Sequence, residues 1–282
     1  MIEEHDPNRD SLALPGQRGI AIRSHMLVAR GLHDLLARQA RTVHFPADRS
    51  VGAFSLVYED ESFFIALSKA ESNEAQGDVT IPTGMKLALF VSGQANTDVS
   101  FLEALAPNDI SYLNLSGEEI TRAGLLHIRH LTGPNRLDLS ANAIIDAGDI
   151  HLRHLTALDG LGIGGSPITD AGLVHIRHLT GLKRLDLSFN AITDAGLVHL
   201  RGLTGLRELI LSHNPLTDTG VAHLQGLNEL VLLNLVRTRI TDAGLVHLRH
   251  LTGLKRLGLH GTKVTDWGRD NLRRSLPNLE IL

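Results

Sequence analysis

The stretch Leu182–Leu203 reads Leu-Lys-Arg-Leu-Asp-Leu-Ser-Phe-Asn-Ala-Ile-Thr-Asp-Ala-Gly-Leu-Val-His-Leu-Arg-Gly-Leu. Most of the chain after it and much before it is this segment again. Its second half, Ile-Thr-Asp-Ala-Gly-Leu, begins at Ile168, Ile192 and Ile240, with looser copies at Ile120, Ile144, Leu216 and Val264, all in a 24-residue register. Two leucine columns keep that register: Leu113, Leu137, Leu161, Leu185, Leu209, Leu233 and Leu257, and Leu115, Leu139, Ile163, Leu187, Leu211, Leu235 and Leu259. A fixed period of this size marks a solenoid, in which each coil is too small to close its own core and must bury it against its neighbours.

Within one coil the Leu-x-Leu alternation has period two, which puts both leucines on one face of a short strand. Thr193 is placed to cap a following helix through a backbone N–H. Asp194 then falls in the first turn, where the helix dipole favours a carboxylate. Leu197, Leu200 and Leu203 continue at three-residue spacing as an apolar stripe. Each coil is therefore expected to run strand, turn, short helix, turn, with the strands pairing in parallel.

The pattern Leu-x-x-Leu-x-Leu-x-x-Asn at Leu182, Leu185, Leu187 and Asn190 resembles the leucine-rich repeat proteins from about Ile110 to Leu282. The Ile-Thr-Asp-Ala-Gly-Leu half resembles the cysteine-containing, ribonuclease-inhibitor-like subclass and its bacterial relatives, with Ser, Thr or Asn where that subclass often has Cys. The resemblance implies an α/β fold: a right-handed solenoid with parallel strands on the concave side and short helices on the convex side. It also implies recognition of other proteins rather than catalysis.

The chain has 282 residues and a formal net charge of −4, so no basic footprint for nucleic acid is evident. It has no cysteine, which removes disulfides and thiolate metal sites. No run is long enough to span a bilayer. The acidic, polar start lacks a signal-peptide pattern. These features lead us to expect a cytoplasmic, monomeric protein with neither a nucleic-acid nor a membrane partner.

Residues 1–22 are polar, with Pro7, Pro15 and Gly16, and read as a flexible tail. Residues 23–92 read as an N-terminal helix and a small β cap. Leu27, Val28, Leu32, Leu35 and Leu36 make one side of a helix over Ser24–Arg41, either packing on the β region or offering a basic surface to a partner or membrane. Val43–Pro46, Val51–Val57, Val79–Pro82 and Leu87–Val91 form strand–proline-turn–strand patterns, with Glu59–Ser62 and Glu71–Gly77 as loops. Leu89 lies 24 residues before Leu113, so the last of these strands is positioned as a first, degenerate repeat strand. Residues 93–282 are the repeat domain, opening with a short helix over Asn96–Ala106. It closes with a C-terminal cap in which Leu279 follows Leu257 by 22 residues, Trp267 replaces the usual alanine, and Arg269, Arg273 and Arg274 are added.

Six histidines recur in register, at His127, His151, His175, His199, His223 and His247, and four sit three residues on, at His130, His154, His178 and His250. On a helix this spacing brings imidazoles together, and a histidine-ladder metal site is one reading. No Asp, Glu or Cys recurs beside them as a third ligand, so the simpler reading is a repeated surface feature, with His175 on the flank and His178 outward. No nucleophile elbow, metalloprotease helix or phosphate loop occurs. Gly160, Gly162, Gly164 and Gly165 read as a dent in the concave wall that a partner or a neighbouring loop could approach. Asn142, Asn190 and Asn214, with Thr238 and Thr262, read as a structural ladder bonding the turns. Thus no catalytic residue, metal ligand or cofactor is expected.

What varies between coils is the outward side of the strands and the turn edge beside it. There Tyr112, Arg136, Arg184, Asp186, Phe189, Glu208, Ile210, His213, Leu232, Val236, Arg237 and Arg256 are the expected binding residues for a protein or peptide. Phe189, Ile210, Leu232 and Val236 supply an exposed apolar centre flanked by Arg184, Glu208 and Arg237, with His260 at the same edge. Aromatic and arginine groups around an apolar centre are what a protein-binding patch uses. An alternative is an adaptor that uses the N-terminal region as a second binding site.

Overall fold

The computed structural model describes residues 41–47, 50–58, 73–82, 85–91, 98–142 and 149–282. The tail over 1–22, most of the Ser24–Arg41 helix, the Glu59–Ser62 loop and the Ile144 repeat start lie outside the described residues.

Among the described residues eleven strands form one sheet. Its parallel part comprises β5 (Met85–Val91), β6 (Ile110–Asn114), β7 (Arg136–Asp138), β8 (Gly160–Gly162), β9 (Arg184–Asp186), β10 (Glu208–Ile210), β11 (Leu232–Asn234), β12 (Arg256–Gly258) and β13 (Glu280–Ile281). Each strand pairs with the next coil's strand, Leu185 beside Leu209 and Leu209 beside Leu233. Both leucine columns are fully buried, because every second residue of a strand points into the coil. The returning segments are short helices, α1 (Arg122–Leu126), α2 (Asp170–Ile176), α3 (Asp218–Val221), α4 (Asp242–Leu245) and α5 (Asp266–Ser275), or tight 3-10 turns at Asp149–His154 and Gly196–Leu200. Leu197, Leu200 and Leu203 are buried as the apolar stripe required.

The N-terminal end continues the same sheet. The strand β5 lies parallel to β6 with Leu89 beside Leu113, so it is the first strand of the array. On its other side β2 (Gly52–Tyr58) pairs antiparallel, followed by β3 (Asn73–Glu74), a short strand inside the stretch expected to be loop. β1 (Arg41–His44) and β4 (Asp78–Ile81) form a separate antiparallel pair. The expected helix over Asn96–Ala106 is a 3-10 turn at Ser100–Ala104 that buries Leu102. At the other end the sheet pairs Leu257 with Ile281, not with Leu279, so the 24-residue register holds to the last strand.

Two polar ladders tie the coils together. In the first, the Nδ2 of Asn214 donates to the carbonyls of Leu187 and Leu211, and its Oδ1 accepts from the N–H of Ile192. Asn142 and Asn190 repeat this pattern. Thr238 and Thr262 occupy the same column but donate only to their own coil, at Leu235 and Leu259. Ser166 is buried there with no partner for its hydroxyl among the described residues.

The second ladder corrects the expected role of Asp194. The dipole of so short a turn is not its main partner. Instead, the Asp194 carboxylate accepts the backbone N–H of Thr217 at 2.8 Å and its hydroxyl at 2.5 Å, in the next coil. Asp170, Asp218 and Asp242 hold Thr193, Thr241 and Thr265 in the same way. The threonines cap as well: Thr169, Thr193 and Thr241 accept the N–H two residues on. The repeat glycine completes the device. A Cβ on Gly220 would stand 2.4 Å from Asp194 Oδ1, and those on Gly196, Gly244 and Gly268 would meet the equivalent carboxylates.

Candidate functional site

The concave side is built from the outward strand residues and the turn that follows each strand. In that turn the residue four places after the first strand leucine of each coil, from Leu113 to Leu257, enters the left-handed region: Gly117, Ala141, Gly165, Phe189, His213, Arg237 and Gly261 all have positive φ. The chain must leave the strand sharply here. The N–H of each of the first six donates to the carbonyl of the following coil, for example Phe189 to Ser212 at 2.9 Å and Arg237 to His260 at 2.8 Å. Glycine adopts this conformation without steric cost, whereas a side chain adds about 1 kcal/mol or more.

Three bulky residues nevertheless fill three successive turns: Phe189 (φ 55°), His213 (φ 59°) and Arg237 (φ 53°). Phe189 is 58% exposed. Its ring stacks on the His213 imidazole with centroids 3.8 Å apart and planes 17° apart. The stem of Arg237 lies against Gly261, where an added Cβ would be 2.9 Å from its Cγ. Beside this edge the outward strand residues Ile210 and Leu232, with Val236 in the turn, form an apolar floor. They are half-buried rather than fully exposed, because parallel neighbours on both sides cover part of each side chain.

The other expected residues are occupied differently. Arg184 and Glu208 face each other on adjacent strands and form an ion pair at 3.2 Å. Asp186 Oδ1 accepts the N–H and the hydroxyl of Ser188 and so shapes the turn before Phe189. Tyr112 belongs to the N-terminal coils, edge-on against Phe90 with centroids 5.3 Å apart. Burial and then the charge of Asp138 push its hydroxyl up to about 12, against the opposing hydrogen bond from Asn114. Arg136, whose side chain is only 14% exposed, pairs with Asp159 and lies over Gly160. The glycine dent is thus occupied by the neighbouring coil's arginine. Burial raises Asp159 above the ordinary carboxylate value, against the pull of Lys183 and Lys86. Burial alone raises Glu118, which stands where other coils have asparagine. Arg256 is exposed at the C-terminal end, beside Glu280 in the sheet.

The structure therefore gathers Phe189, Ile210, His213, Leu232, Val236 and Arg237, extends them to Arg256, and leaves Tyr112 and Arg136 at the other end. Sequence reading passed over Arg239 and Lys263, exposed residues one coil apart just beyond the turn column. Their shared register was the available signal.

The histidine column lies on the other side of the coil. His175 is half-buried and His178 exposed, the flank and outward positions expected. Among the described residues no three His, Cys, Asp or Glu side chains converge as a metal site. His127 pairs with Glu103, and His154, His178 and His250 each accept from the adjacent arginine. Among the described residues two histidines are shifted. Burial, then Arg122, Arg129, Arg153 and His154, lowers His151. Burial and then Arg201 lower His223, against Asp194. A lowered folded value means that the unfolded chain binds the proton more tightly, so stability is lost as pH falls below the ordinary histidine value of about 6.5. Glu118 and Asp159 act with the opposite sign at lower pH, since their folded forms hold protons more tightly. Thermal melts are expected to fall between pH 7.5 and 5.5, and the pair His151→Gln/His223→Gln is expected to flatten that slope. An unchanged slope in the pair would reject this assignment.

Residues 156–216 match the leucine rich repeat family profile. The fold is a leucine-rich-repeat solenoid. Among solved structures, internalin C2 (inlC2) of Listeria monocytogenes is 29% identical, with a TM-score of 0.51, covering 62% of this chain and 71% of that one. Internalin inlF of the same species is 22% identical, with a TM-score of 0.49, covering 66% of this chain and 63% of that one. No curated protein sequence matches the chain. No described helix is long and apolar enough to cross a membrane.

Proposed function

We propose that this leucine-rich-repeat solenoid is a non-enzymatic protein-interaction module. It holds a protein or peptide against the C-terminal half of its concave side and the adjoining turn edge. The observation that carries this reading is the placement of Phe189, His213 and Arg237 at positive φ in three successive turns, where glycine serves in three other coils. Strain kept where a strain-free residue is used elsewhere in the same column points to selection for the side chain. The side chains are those that binding surfaces favour, an aromatic stack and an arginine beside an apolar floor. The similarity to an internalin and the leucine rich repeat match support the same reading by analogy of fold.

The test is affinity capture from a lysate of the source organism. Wild type is compared with Phe189→Ser/Leu232→Asp, both checked for unchanged melting. A partner retained by wild type and lost from the variant is expected. Identical partner sets would move recognition away from this face.

A further inference from the structure

Resting on the recognition reading above, we propose that the segment bound here is a short acidic peptide stretch of the partner carrying an apolar anchor. Its carboxylates would lie against Arg237, Arg239 and Lys263, and its anchor against Ile210, Leu232 and Val236.

The charge pattern of this side changes along the solenoid. From β7 to β10 the arginines of this side are matched, Arg136 with Asp159, Arg184 with Glu208 and Arg207 with Glu229, and Lys183 acts on the Asp159 carboxylate. In the last coils Arg237, Arg239, Arg256 and Lys263 are all exposed, and among the described residues none of them is in an ion pair. The acids nearest in the chain are committed elsewhere: Asp242 to Thr265 and Glu229 to Arg207, which leaves Glu280, beside Arg256 in the sheet. Gly261 leaves room for the stem of Arg237, so this cation is carried toward the last turn, the one that leads to Lys263. An anionic ligand would relieve a repulsion that the fold itself does not neutralise.

The apolar floor argues for a peptide over a bare polyanion. Ile210, Leu232 and Val236 lie immediately beside the cationic edge, and the Phe189–His213 stack bounds them. A nucleic acid would instead meet Asp186 and Glu208 on the neighbouring coils, with Phe189 as the exposed aromatic ring of this edge to stack on. Strands in the sheet stand about 4.8 Å apart, so the three steps from the coil of Phe189 to that of Lys263 span about 15 Å. About five residues of extended chain cover that length.

The experiment pans a display library of random peptides against the full chain, then measures binding of the selected peptides, of versions with Asp and Glu changed to Asn and Gln, and of mixed-sequence DNA. Expected are sequences rich in Asp and Glu with one aromatic or large aliphatic residue. Their affinity should fall about tenfold or more in Arg237→Glu/Arg239→Glu and in the amide versions. Lys263→Glu is a second variant, should the first pair not fold. Neutral or basic selected peptides, no selected peptides, binding indifferent to charge reversal, or tighter binding of DNA at the same residues would each overturn the proposal. If peptides fail but lysate capture still depends on Phe189, only the acidic assignment falls; if both fail, the recognition reading falls with it.

Discussion

Replacing Asn214 with alanine is expected to lower stability by about 3 to 5 kcal/mol, among the largest effects of any single substitution in the chain. The side chain is buried and bonds four backbone groups in two coils, the carbonyls of Leu187, Leu211 and, at 3.4 Å, Ser212, and the N–H of Ile192. Alanine leaves the Leu211 carbonyl and the Ile192 N–H without this partner in an interior that water does not reach, at about 1 to 3 kcal/mol each before relaxation, while the Leu187 carbonyl keeps the Nδ2 of Asn190. Thr238→Ala is the internal control. Its hydroxyl has the same place in the next coil but makes one such bond, to Leu235, so its loss should cost about 1 to 2 kcal/mol. Urea unfolding of both variants checks the ranking. Equal losses would show that the bridging bonds of Asn214 add nothing.

The second large effect is predicted at Gly220. In an isolated helix, alanine for glycine is favourable by about 1 kcal/mol. Here the added Cβ would stand 2.4 Å from Asp194 Oδ1, and that oxygen is fixed by the N–H of Thr217. Moving it breaks the clasp between two coils, so Gly220→Ala should cost about 2 to 3 kcal/mol. The cause is separable. In an Asp194→Ala background the carboxylate is gone and only the flexible end of Leu197 stays close, at 3.2 Å from the added Cβ, so Gly220→Ala should become neutral or stabilising. A double-mutant cycle over the two sites should therefore give a coupling of at least about 2 kcal/mol. Additive effects would show that the glycine is needed for some reason other than the carboxylate above it.

These two ladders mark how far sequence reading reached. The leucine columns were legible because burial in a strand needs only period two and a constant coil length, and both are written in the chain from Leu113 to Leu259. The asparagine ladder was legible because a buried amide in a turn has few other uses. The aspartate clasp was not. Thr193 and Asp194 each had a sufficient local explanation, a cap and a dipole, whereas the real partners lie one coil away, beyond the reach of local pattern reading. The final strand was misaligned for a similar reason, since Leu279 resembles the strand leucine more than Ile281 does, and only sheet pairing decides between them.

The candidate site was legible in part. Variation among otherwise identical coils singled out Phe189, Leu232 and Arg237. It could not show that Arg136 is drawn over Gly160, that Asp186 is used by its own turn, or that Ile210 and Val236 are partly covered by their neighbours. The left-handed column was written in the sequence, with glycine at Gly117, Gly165 and Gly261 in register. The conformation becomes visible only once the backbone is in hand.

Phe189, His213 and Arg237, on the reading proposed above, are kept for recognition at the expense of stability. The most direct measurement takes the triple variant Phe189→Gly/His213→Gly/Arg237→Gly and determines its unfolding free energy and its partner capture on the same preparation. Relief of three left-handed side chains, less the loss of one ring stack, predicts stability equal to or above the parent by about 1 kcal/mol, with capture abolished. A variant destabilised by several kcal/mol that still captures the same partner would show that these residues serve the fold and not recognition.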